Sequence, residues 1–301
     1  MRHGFTATVI LLVSWASVPA AEAQHPVTPG QAESAKPLDS EEVARVRAKV
    51  LPKEGFTLPI KWGDLGSTLV RLGVLDLPKL KQLHADTKGR PLPDLRHLEE
   101  RSEAFITITT ENARFLANVF WGLGLANKNP VLDTLVLVRP QSELMRLAST
   151  GGWTLGAKPA EDVYSYLDIV ALQPEQQELV SDLARTIYRP CCDNPTAFPD
   201  CNHGMAMLGL LELMAANGFS REEILRAALR FNAFWFPQQY VRTALVLQLR
   251  GIDWDTVDPQ EILGPRYSSL RGWIQNVDGE LKKRSHLLPP QPEGASCGIS
   301  R

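Results

Sequence analysis

Apolar residues recur at helical spacing through much of the second half of this chain, and proline or glycine marks where each run stops. Leu179, Leu183 and Ile187 share one face of a helix spanning residues 174–188, which Pro190 ends. Residues 204–217 form a second helix, with Gly218 as its stop. Ser220 and Glu223 open a third with the spacing of a capping box. Pro237 breaks or kinks that helix, and residues 241–249 continue helically to Gly251. A chain with this pattern buries its apolar stripes by packing helix on helix.

The first half is less regular but points the same way. Residues 38–50 carry Val43, Val46 and Val50 at helical spacing, with Ser40 as the expected N-cap and Glu41 and Glu42 in the first turn. Residues 62–72 form a short amphipathic stretch ended by Gly73, and Asp76 caps another that has Pro78 in its first turn. Thr110 begins a stronger helix through Ala113, Leu116, Phe120 and Trp121, and residues 127–130 stop it. Residues 131–138 are nearly all apolar, and their β-branched content leaves helix and strand open. A helix start is expected over 159–171 and a last helix over 269–283. Alternating patterns are scarce, residues 105–109 being the one good strand candidate. The expected fold is mainly α: an irregular multi-helix bundle, one helical domain over 38–288, with a Pro/Cys-rich loop between two core helices.

The N-terminus reads as a secretory signal. Arg2 and His3 precede an apolar run, residues 9–18, that is too short to span a bilayer. Ala21-Glu22-Ala23 is a small-x-small site, which places cleavage before Gln24. Residues 24–37 are polar and proline-bearing, as expected of a disordered leader, and residues 289–301 form a loose tail. The mature protein is therefore expected to be exported, periplasmic or extracellular, with no membrane span. A net charge of −2 with no long basic run gives no reason to expect nucleic acid as a partner. The hydrophobic fraction of 44% supplies a core that needs no disulfides, so the cysteines call for a local explanation.

Three of the four cysteines, Cys191, Cys192 and Cys201, fall within eleven residues, and His203 follows two positions later. Pro190, Pro195 and Pro199 restrict the connecting backbone. Asp200 or Asn202 is expected to cap the next helix, which places Cys201 and His203 at a helix N-terminus, where a thiolate is favoured. Three thiols and an imidazole form a structural zinc set. Met205 and Met207 add thioethers, and sulfur with imidazole also suits copper, especially Cu(I). Met207 lies four residues after His203 and shares its face, which makes it a candidate copper ligand. Core filling is the competing role for both methionines.

Two other readings use the same residues. Cys191 or Cys192 can close a disulfide with Cys201, leaving Cys297 in the tail to take the remaining partner, and export favours pairing. Alternatively Cys191, Cys192, Cys201 and Cys297 do thiol redox work, the tail swinging its thiol onto the loop. The expected function is soft-metal binding (copper or zinc) or thiol redox chemistry. The alternative is a disulfide-stapled scaffold that binds a protein or small molecule without catalysis. Zinc-protease, serine-hydrolase, P-loop and haem-attachment motifs are all missing, so no enzyme activity is assigned. His84 and His97 read as isolated histidines. Phe231, Phe234, Trp235 and Phe236 read as core, or as one wall of a pocket near the cysteine loop.

Overall fold

Residues 37–289 are described by a computed structural model of the chain. The expected signal peptide, nearly all of the leader and the tail with Cys297 lie outside them. The described chain is mainly helical, with one two-stranded sheet. None of its helices is long and apolar enough to cross a membrane.

The first helix, α1 (Ser40–Val50), is capped by Asp39 rather than Ser40: the Asp39 side chain accepts from the Glu42 N–H, and Glu42 returns the bond. A carboxylate outcompetes a hydroxyl for that role when both precede the helix, because it also meets the helix's positive end. Two antiparallel strands follow at β1 (Phe56–Gly63) and β2 (Ser102–Ile108). Strand β2 was expected; β1 was not. Its Leu58, Ile60 and Trp62 point inward at strand period, so the helix expected from residue 62 begins only at Leu65. Between the strands lie short helices at Leu65–Arg71 and Leu77–Leu83, the latter capped by Asp76 as expected.

The centre of the molecule is the crossing of α2 (Ala113–Ala126) with the helix that carries the cysteine–histidine segment. That segment is framed by α3 (Pro174–Thr186) and α4 (Asn202–Ala216), and is followed by α5 (Arg221–Trp235) and α6 (Pro237–Leu249). Helix α4 is buried along almost its whole length, packed by α2, α3 and α5. Close approach to α2 depends on two glycines. A Cβ on Gly124 would fall 2.1 Å from the Met205 carbonyl oxygen, and one on Gly209 would fall 2.4 Å from that of Phe120. The two backbones therefore meet without side chains between them, which fixes the height and rotation of α4.

Three expectations change. Residues 131–138 resolve as helix (Pro130–Val138), capped by the Asn129 side chain. Only a single 3₁₀ turn, Ala160–Asp162, forms where a helix was expected over 159–171. Chain there is held instead by bonds to the end of α2, such as Leu167 N–H to Ala126 and Lys128 N–H to Leu167. The last helix is present but contains a π-helical stretch, Ile274–Asp278, between Leu270–Trp273 and Gly279–Lys283.

Candidate metal centre

Helix α3 ends at Thr186, and the chain turns through residues 187–201 before α4 begins. Most of the bonds that fasten this loop use no sulfur atom. Thr196 N–H donates to the Ile187 carbonyl at 2.8 Å and Ala197 N–H to that of Ala184 at 2.7 Å, folding the loop back on α3. On the other side, Leu270 N–H donates to the Cys192 carbonyl at 2.9 Å and Arg271 N–H to Asp193 Oδ1 at 2.7 Å.

At the loop's centre is Arg189, only 1% exposed. Its guanidinium donates to the Asn194 carbonyl at 2.6 Å, to the Phe198 carbonyl at 3.4 Å, to the Asp200 carboxylate, and through Nε to Cys201 Sγ at 3.2 Å. Asp200 also accepts from Asn194 Nδ2 at 2.9 Å. A planar fork with donors in fixed directions is what such a set of acceptors needs. Room for it comes from Gly204, where a Cβ would stand 2.5 Å from Arg189 Cζ.

Cys201 is the N-cap of α4, with its sulfur accepting from the Gly204 N–H at 3.4 Å. Asp200 and Asn202, the expected caps, do other work. Asp200 is turned toward Arg189 and Asn194, and the Asn202 side chain accepts from the His203 N–H at 2.9 Å. His203 thus stands in the first turn of α4, as expected of a helix start here. Behind its ring are Phe236 at 4.5 Å and Trp235 at 6.1 Å between centroids. The aromatic end of α5 is therefore a wall of this site, whereas Phe231 and Phe234 belong to the core.

The sulfur atoms are free thiols that converge on Cys201. Cys191 Sγ lies 3.4 Å and Cys192 Sγ 3.8 Å from Cys201 Sγ. Ligand atoms of Cys191, Cys201 and His203 all lie within 4.8 Å of one another, and so do those of Cys192, Asp200 and Cys201. Cys201 is common to both groups. This cluster can hold a metal ion. Asp200 is already bonded to Arg189 and Asn194, which makes it a support for the loop, while Cys191, Cys192 and His203 are the donors left around Cys201.

Three thiols this close do not ionise together. Hydrogen bonds from Cys191 and Cys192, then from His203, with the Arg189 charge, hold the Cys201 thiol well below its usual range against the opposing effect of burial. Cys191 is pushed far up, first by its hydrogen bonds to the other two thiols and then by burial and the neighbouring negative charge. Of these thiols, Cys201 is therefore the one whose ionised form is favoured. Burial works against the Arg189 cation, but the charges and hydrogen bond of the cysteines around it keep its pKa raised.

Met207 is buried in the hydrophobic core one turn beyond His203, beside the equally buried Met205. His84 and His97 are occupied elsewhere, with Asn118 Nδ2 at 3.1 Å and Ser102 Oγ at 2.8 Å respectively. Arg189 and Gly204 are the functional residues that sequence reasoning missed. The chain matches no protein-family model, and neither curated proteins nor solved structures include a significant match to it.

Proposed function

We propose that this protein binds a soft metal ion, copper or zinc, through Cys191, Cys192, Cys201 and His203. The observation that carries this reading is the pair of sulfur–sulfur separations, 3.4 and 3.8 Å, about the shared Cys201 sulfur with an imidazole alongside. A tetrahedral centre with metal–sulfur bonds of about 2.3 Å has sulfur–sulfur edges of about 3.8 Å. The Cys192–Cys201 separation of 3.8 Å equals that edge and the Cys191–Cys201 separation of 3.4 Å is somewhat shorter, which supports a shared shell about Cys201. Three thiolates and an imidazole suit zinc and Cu(I) alike. Met207 is the ligand that would distinguish them, since a thioether favours copper.

The protein is exported on this reading, on the strength of Arg2, His3, the apolar run and the Ala21-Glu22-Ala23 site. In an oxidising compartment neighbouring thiols pair unless a metal or a reductant holds them apart, so export and metal binding support one another. The redox reading draws on the same 3.4 Å approach of Cys191 to Cys201, which is shorter than that of Cys192.

The deciding experiment is metal analysis with thiol counting on the full chain purified without chelator. One zinc or copper per chain, lost in Cys201→Ser, is the expected result. No metal before or after reconstitution, with Cys201 recovered in a disulfide, would replace this reading with the stapled scaffold. Export with a mature N-terminus at Gln24 is expected; a chain retained inside the cell with Met1 intact would remove the export step.

A further inference from the structure

The four donors of the proposed centre are not held alike. Cys201 is fastened by Arg189 Nε, by the Gly204 N–H and by its place as helix cap. Cys192 is half-buried, and its carbonyl is bound by the Leu270 N–H. His203 is backed by Phe236 and Trp235. Cys191 alone among them is exposed. The loop that bears it keeps its shape through Arg189, Asp200, Asn194, Thr196 and Ala197, none of which needs a metal. Breaking a metal bond to Cys191 therefore leaves the other donors in place, unlike a site whose loop folds only around its ion.

Beside this exposed residue the surface carries two arginines. A cleft of about 440 Å³ runs along Asp193, Ser269, Arg266, Arg271, Gln275 and Asn276. It is joined to the cysteine loop by the Leu270 N–H bond to Cys192 and the Arg271 N–H bond to Asp193. Two guanidinium groups face one carboxylate there: Asp193 accepts from the Arg271 backbone and lies 4.0 Å from Arg271 Nε, so one positive charge is left in excess.

We propose that Cys191 is the exchange ligand of the centre, through which the metal passes directly to and from an acidic thiol acceptor docked against Arg266 and Arg271. This rests on the metal-binding reading above. The acceptor's thiolate bonds to the metal as the metal–Cys191 bond breaks. The proton released by the acceptor thiol ends on Cys191 Sγ, and the metal keeps its oxidation state. The carboxylate of the acceptor pairs with the cleft arginines, which raises the encounter rate.

The test uses the full chain loaded with Cd(II), a soft divalent probe followed by its thiolate-to-metal absorbance. Transfer to mercaptosuccinate is compared with transfer to 2-mercaptoethanol at equal thiolate concentration. The expected transfer rate rises in proportion to mercaptosuccinate concentration, and Cys191→Ser slows it by about tenfold. Mercaptosuccinate is expected to react about fivefold faster than the neutral thiol, and Arg271→Glu to erase that preference. A rate independent of acceptor concentration in the unaltered protein, or a Cys191→Ser rate equal to it, would overturn the exchange route while leaving the metal site standing. Equal rates for the two thiols would overturn the acidic acceptor. Failure of the unaltered chain to take up Cd(II) would overturn the metal-binding reading itself.

Discussion

Helix α4 carries two ionisable clusters, one at each end, and they treat charge in opposite ways. At its N-terminus the Cys201 thiol is drawn well below its usual range by the neighbouring thiols, by His203 and by a buried arginine. Near its other end Glu212 is entirely buried, with Asn129 Nδ2 donating to one carboxyl oxygen at 2.5 Å and Gln177 Nε2 donating in turn to Asn129 Oδ1. Burial drives its pKa well up, against the smaller pull of the amides, and no cation stands beside it among its hydrogen-bond partners. Folding therefore favours the protonated form of Glu212. The difference teaches that burial alone neutralises a group, and that a buried charge survives where a counter-charge and aligned donors have been built around it.

The comparison breaks most visibly at Arg189. Arg189→Ala strands Asp200 and two loop carbonyls, and is expected to cost about 3–5 kcal/mol in urea unfolding of the metal-free protein, with loss of metal retention. Arg189→Lys keeps the charge but cannot serve four acceptors in one plane, so it is expected to restore only part of that loss. Full stability in Arg189→Ala would show that the loop does not depend on this ion pair.

A smaller effect is expected at Gly204. Glycine to alanine inside a helix ordinarily stabilises by about 0.5–1 kcal/mol. Here the added Cβ would stand 2.5 Å from the guanidinium carbon. The overlap reverses the sign, and Gly204→Ala is expected to destabilise by about 1–3 kcal/mol and to weaken metal binding. A rise in thermal midpoint would mean that Arg189 has room to move aside.

The smallest effect is expected at Glu212. Glu212→Gln is nearly isosteric with the protonated acid, and at acidic pH it is expected to change stability by no more than about 1 kcal/mol. The pH dependence carries the sharper information. A carboxyl raised on folding contributes stability that is complete below its unfolded value near 4.5 and is lost as pH rises through the folded one. The variant lacks that loss, so its stability relative to the unaltered protein is expected to rise with pH above about 4.5. Parallel pH profiles for the two proteins would show that Glu212 is not a neutral acid in the folded state.

How far each part could be read from sequence varies with the range of the interaction. The capping box at Ser220 and Glu223 and the break at Pro237 appear as expected, because each is decided within four residues. Strand β1 was missed although Leu58, Ile60 and Trp62 alternate, since a seven-residue helix follows directly and Trp62 fits both periods. The contact between Gly124 and Gly209 was not legible, because glycine supplies no side-chain pattern and the partners lie far apart in the chain. At the centre, Cys191, Cys192, Cys201 and His203 were found by residue type and spacing. Arg189 was overlooked beside Pro190, where an arginine looks like an ordinary helix end.

By itself the amino-acid order determined the helical character of the chain, the position of most helices, and the short span in which soft donors are concentrated. Those properties follow from local periodicity and from side-chain chemistry, which need no partner distant in the chain. Only the tertiary structure decided which thiol has its ionised form favoured, which cysteine is exposed and which aromatic rings back the histidine. Each depends on groups brought in from elsewhere: the α2–α4 crossing that sets the height of the helix, the aromatic end of α5 behind the imidazole, the segment after residue 268 that borders the loop, and a guanidinium seated where residue 204 has no side chain.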